Sequence, residues 1–165
     1  MSDDAAFSAF VQLNGASLLH TARLLTGDHH RGEDLVQTAL AKLYLRWDKV
    51  DEPLAYVRKT LVTSNIDSAR RRWWGERPVE VLPDRPTDDG ALDASDERAE
   101  LRRLLDELPA RERAVVVLRY YCDLSEQDTA ATLGIALGTV KSSASRALAR
   151  LRVQVAAPAA DGTAS

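Results

Sequence analysis

The chain has 165 residues, 45% of them hydrophobic and 28% charged, with a formal net charge of -3. That is enough apolar material for one medium domain or two small ones, which excludes an intrinsically disordered polymer. The single cysteine, Cys122, excludes an intramolecular disulfide and suits a reducing compartment.

No stretch approaches the roughly 20 apolar residues of a membrane span. The opening MSDDAAFSAFVQLNG lacks the basic start and long apolar core of a secretory signal, so a cytoplasmic location is expected. The charge is spread unevenly. Residues 1–74 hold ten Lys/Arg against nine Asp/Glu, 75–100 hold three against nine, and 101–165 hold nine against seven. The acidic excess is therefore confined to the middle, and the low overall pI does not argue against a nucleic-acid partner for either end.

From Asp3 to Thr26 the positions Phe7, Phe10, Val11, Leu18, Leu19, Ala22 and Leu25 recur at helical intervals, with a break or kink expected at Gly15 and closure at Gly27-Asp28. A second helix is expected from about Arg31 to Trp47, its stripe formed by Leu35, Val36, Ala39, Leu40, Leu43, Tyr44 and Trp47. Asp51-Glu52-Pro53 opens a third helix, where proline is tolerated at an early position and the acids complement the N-terminal dipole. This helix carries Leu54, Tyr56, Val57, Leu61 and Ile66 and runs into Arg70-Arg71-Arg72-Trp73-Trp74.

Residues 75–95 contain three prolines, two glycines and a run of acids. They cannot bury enough apolar surface to fold alone and are expected to form a flexible acidic linker. A helix resumes from Asp96 to Leu108 on a stripe of Leu101, Leu104, Leu105 and Leu108. Pro109 starts the next, with Val115, Val116, Leu118 and Tyr121, followed by a short helix holding Ala130, Ala131 and Leu133. Gly134 stands where a left-handed helix end is needed, and Gly138-Thr139 where an N-cap is expected. The last helix places Val140, Ala144, Ala147, Leu148 and Leu151 on one face. Lys141, Ser142, Ser143, Ser145, Arg146, Arg150 and Arg152 occupy the others, with no carboxylate among them. A short helix, a tight turn and a basic helix predict a helix-turn-helix whose second helix enters the DNA major groove. The Ala-rich end from Val155 is expected to fray.

The expected fold is all-α. Residues 1–74 form one small helical domain and 96–155 a second one with the helix-turn-helix; 75–95 link them, and 156–165 form a disordered tail.

The segment Leu108–Arg152, LPARERAVVVLRYYCDLSEQDTAATLGIALGTVKSSASRALARLR, resembles region four of the bacterial sigma-70 family, specifically its extracytoplasmic-function group. The resemblance rests on Leu108-Pro109 with its charged turn, the run Val115–Tyr121, Leu124-Ser125 before the short helix, and Gly138-Thr139-Val140-Lys141-Ser142. It implies that Thr139, Lys141, Ser142, Ser145 and Arg146 read the minus-35 promoter element. Residues 32–47, GEDLVQTALAKLYLRW, are similar to the region-two stretch that in relatives docks on the beta-prime clamp of core RNA polymerase. That likeness implies Asp34, Gln37 and Lys42 as the polymerase-facing set. Residues 55–74, AYVRKTLVTSNIDSARRRWW, look like the helix that opens and reads the minus-10 element. Arg58, Lys59, Arg70 and Arg71 would hold phosphates and Thr63 and Asn65 would reach a base edge, which suits the capture of unpaired bases. Relatives often carry Asn near Thr63, and bulkier or basic residues where Ser143 and Ser145 stand. An anti-sigma factor is a further partner the resemblance implies.

No nucleophile–base pair or phosphate loop emerges, and His20, His29 and His30 lack the partners of a metal site; an enzyme, a cofactor and a metal are not expected. The alternatives are a conventional helix-turn-helix regulator that binds duplex DNA without polymerase, and a helical adaptor that binds only protein.

Overall fold

The computed structural model of the chain describes residues 3–73 and 96–161. The expected linker, Trp74 and the last residues of the tail lie outside the described residues. Every described regular element is helical, and the chain divides into two compact units, Met1–Leu92 and Asp93–Ser165.

The first unit is built on α1 (Asp3–Thr26), α2 (His29–Leu45) and α3 (Pro53–Trp73), with a single 3-10 turn at Trp47–Lys49. Gly15 does not break α1, which runs continuously; the helix ends instead at Gly27, whose φ of 71° only glycine adopts without strain. Asp28 then caps α2, its carboxylate accepting from His30 N at 2.9 Å. The helices pack around Leu18, Leu25, Val36, Leu43, Val57, Leu61 and Val62, all buried. Phe7, Phe10, Tyr44 and Trp47 close one end of this core, with ring centroids 5.1–5.7 Å apart in edge and tilted contacts. The tight α1–α2 approach depends on Gly32: a Cβ there would lie 3.1 Å from Arg23 Cγ and 3.2 and 3.3 Å from the Arg23 backbone N and Cα.

The second unit contains α4 (Asp96–Asp106), α5 (Ala110–Val116), a π-helical turn at Val117–Tyr121, α6 (Glu126–Leu133) and α7 (Leu137–Asp161). Arg113 ties α4 to α5, its guanidinium donating to the carbonyls of Leu105 (2.8 Å), Leu108 (2.9 Å) and Asp106 (3.2 Å). Leu105 and Asp106 lie in the last turn of α4, whose carbonyls have no partner inside the helix. The π turn was not expected. There Cys122 N bonds Val117 O at 3.0 Å and Leu124 N bonds Leu118 O at 3.0 Å. The wider turn keeps Val117 and Leu118 buried while Tyr120 and Tyr121 face outward at 56% and 42% exposure, so Tyr121 does not join the core. Nor does Leu101, at 48% exposure. The last helix, α7, runs to Asp161, past the start of the segment expected to fray.

Candidate nucleic-acid interface

The turn that aims α7 is set by three local features. Ser125 caps α6, accepting from Asp128 N at 3.0 Å. Gly134 ends it in the left-handed conformation at φ 66°, and Ile135 N bonds back to Ala130 O at 3.1 Å. Ala136 then opens α7, its carbonyl accepting from Thr139 N and Val140 N. Gly138 and Thr139 therefore lie inside the first turn rather than at the N-cap. Val115, Ala130 and Val140 form a buried apolar cluster, with Leu133, Ile135 and Ala144 packed around it.

The buried line of α7 is Val140, Ser143 and Ala147, each 0% exposed. Ser143 thus belongs to the docked face, not to the polar one. The opposite face carries Gly138, Ser142, Ser145 and Ala149, all exposed at the spacing of successive turns. Lys141 and Arg152, also exposed, run along one edge of that strip. Thr139 is half-buried, and its carbonyl accepts from Ser142 Oγ at 3.2 Å. The result is a strip of small residues with cations along one edge.

Arg146 is exposed and also pairs with an acid that the sequence reading did not single out. Its Nε lies 3.4 Å from Oε1 of Glu112, and the Nε of Arg150 lies 3.1 Å from Oε2 of the same carboxylate. The Glu112 side chain is 8% exposed, whereas both arginine side chains remain 55% exposed. Arg146 Nη2 also reaches Ser143 Oγ at 3.3 Å. Glu112 was missed at the sequence level because an acid in the first turn of a helix reads as a dipole-complementing surface residue. The Arg113 guanidinium beside it is drawn below its ordinary pKa by burial, with Asp106 opposing the shift.

On α3 the expected minus-10 set separates into two groups. Lys59 and Arg70 are exposed and Thr63 half-exposed along one side of the helix, with exposed Arg71 farther round. Thr63 Oγ1 donates to Lys59 O at 2.7 Å, which leaves its lone pairs for an incoming donor. Arg58 is half-buried on the packed side, flanked by Val57, Leu61 and Val62. Asn65 is 5% exposed, and its Nδ2 donates to Leu25 O at 3.1 Å. The expectation that Asn65 reaches a base edge is therefore corrected: it closes the C-terminal turn of α1.

On α2, Asp34, Gln37 and Lys42 are exposed. The same face continues to Leu45, whose 80% exposure is high for a leucine and marks it as a residue the sequence reading passed over. Among the described residues no group of three or more His, Cys, Asp and Glu is placed to hold a metal, and no helix is long and apolar enough to cross a membrane.

Residues 10–75 match Sigma-70 region 2 and residues 98–151 match Sigma-70, region 4. The chain is 39% identical to the RNA polymerase sigma-E factor of Streptomyces coelicolor over 95% of its own length and 90% of the relative's. It is 30% identical to the ECF RNA polymerase sigma factor SigL of Mycobacterium tuberculosis over 92% and 90%. Its fold is similar to that of the sigma factor RpoE of Bartonella quintana, solved in complex with the anti-sigma factor NepR, with a TM-score of 0.69, 28% identity and coverage of 91% and 96%. A half that matches region 2, a half that matches region 4 and relatives matched across nearly their whole length make this chain a member of the extracytoplasmic-function group of sigma-70 RNA polymerase sigma factors.

Proposed function

We propose that this sigma factor binds core RNA polymerase through the exposed face of α2, with Asp34, Gln37, Lys42 and Leu45 in contact. It engages the minus-10 element with Lys59, Thr63, Arg70 and Arg71 on the outer side of α3. It reads the minus-35 element with Lys141, Ser142 and Ser145, with Thr139 at the edge of the groove. The observation that carries the reading is the outer surface of α7: a strip of small residues edged by cations, without an acid from Leu137 to Arg152, presented after a glycine-terminated helix. Small hydroxyls and a lysine at the start of such a helix are suited to base edges and flanking phosphates.

The protein acts in the cytoplasm, where polymerase is, and performs no chemistry of its own. The anti-sigma factor held by the RpoE relative supports a regulatory partner of the same kind here.

Run-off transcription with purified core polymerase on a library of genomic promoter fragments tests this. New start sites should appear with the protein and disappear with the double variant Asp34→Ala, Gln37→Ala. Tight binding to duplex fragments without polymerase, and no transcripts with it, would make the chain a conventional helix-turn-helix regulator instead.

A further inference from the structure

The small residues on α7 pose a problem that Glu112 answers. Long side chains can bend to recover a contact when a helix is slightly misplaced, but Gly138, Ser142, Ser145 and Ala149 cannot. A helix that reads through such residues depends on its depth and on its roll about its own axis, where one residue corresponds to about 100°. The apolar line of Val140 and Ala147 sets the depth, yet it is built of small side chains, and a serine interrupts it at Ser143. Aliphatic contacts of this kind are non-directional and resist roll weakly.

Glu112 supplies the direction. Its carboxylate is buried at the α5–α7 junction; one oxygen accepts from the Nε of Arg146 at 3.4 Å, and the other forms an ion pair with the Nε of Arg150 at 3.1 Å without the alignment of a hydrogen bond. The two arginines stand one turn apart on the same edge of α7, so one fixed carboxylate restrains the helix at two points. Both pairs use Nε, and both arginines stay 55% exposed. Apart from the Arg146 Nη2 that reaches Ser143 Oγ, their outer ends are then available to the phosphates at the side of the groove.

We infer that Glu112 is a positioning residue for promoter recognition: through Arg146 and Arg150 it fixes the roll of α7 and hence which small side chains face the bases. This rests on the reading of α7 as the minus-35 helix.

The test compares holoenzymes made with wild type, Glu112→Gln and Arg150→Gln on one promoter, with its minus-35 element intact or scrambled, alongside urea unfolding of each variant. Wild type must first discriminate between the two templates; if it does not, the minus-35 assignment itself fails, whatever Glu112 does. Given that discrimination, Glu112→Gln should reduce it about tenfold, the worth of roughly one base-pair contact. Arg150→Gln, at an exposed position, should reduce it in the same direction, and the double variant should be no worse than Glu112→Gln alone, because the residues act as one unit. Two results would overturn the inference. One is unchanged discrimination in both single variants, even with a lower unfolding midpoint, which would leave Glu112 a stabilizing ion pair. The other is an equal rise in transcription on both templates, which would mean the carboxylate only attenuates positive charge. If Glu112→Gln does not fold, Arg150→Gln decides between these results.

Discussion

Thr63 and Asn65 are two residues apart on α3 and serve opposite purposes. Thr63 spends its hydroxyl proton on Lys59 O in its own helix and keeps acceptor capacity at the surface, so it suits an incoming amino group better than a carbonyl. Asn65 spends its amide on Leu25 O, a carbonyl at the end of α1. Asn65→Ala should therefore destabilize the first unit by about 0.5–1.5 kcal/mol, the net worth of one buried hydrogen bond. Thr63→Ala should stay within about 0.5 kcal/mol of wild type, as expected for a surface position. Chemical denaturation of the two variants checks this, and equal midpoints would remove the structural role given to Asn65. Thr129 shows the same logic in reverse: it is fully buried and its hydroxyl has no hydrogen-bond partner among the described residues, a local cost carried inside α6.

At the scale of elements, two helical glycines look alike in sequence and differ in what surrounds them. Gly15 lies in mid-helix, where an added Cβ would meet nothing nearer than Val11 Cγ1 at 3.9 Å. Gly32 lies where α2 presses on α1, against the Arg23 backbone that cannot swing aside. Gly15→Ala should stabilize by about 0.5–1 kcal/mol through helix propensity. Gly32→Val should cost about 1–3 kcal/mol by forcing the helices apart. Thermal unfolding should move the two midpoints in opposite directions, and a destabilizing Gly15→Ala would contradict the continuous α1. In the second unit the junctions ahead of α6 are made by side chains rather than by glycine. Arg113 collects the carbonyls at the end of α4, while the guanidinium of Arg119 reaches Leu124 O and bridges the π turn to the approach to α6.

For the whole molecule, the charge layout matters more than the net value. Each unit presents cations on one helix, α3 or α7, and the acidic excess falls in residues 75–100 between them. Two recognition surfaces on one chain, as proposed for α3 and α7, gain from each other's binding, since engagement of one raises the local concentration of the other. The polymerase face must then be separable from folding. Leu45→Ser, at an 80% exposed position, should leave the unfolding midpoint unchanged while weakening binding to core polymerase about tenfold in a competition assay, as expected for an apolar interface anchor. Undiminished binding would remove Leu45 from that face.

The sequence alone determined the all-helical class, the two helical halves, the helix ends at Gly27 and Gly134, and the acid-free outer surface of α7. These follow from periodicity, turn chemistry and local charge, which act over a few residues and so are written in adjacent letters. Tertiary structure alone decided that Asn65 and Ser143 are buried, that Tyr121 and Leu45 face outward, that Gly32 seats one helix on another, and that Arg146 and Arg150 belong to Glu112. Each of these depends on what lies across a packing interface: Glu112 and Arg146 are 34 residues apart in sequence and meet only when α5 and α7 pack. A polar residue near the boundary of a helical stripe reads the same whether it faces solvent or a partner, and only the neighboring helix distinguishes the two.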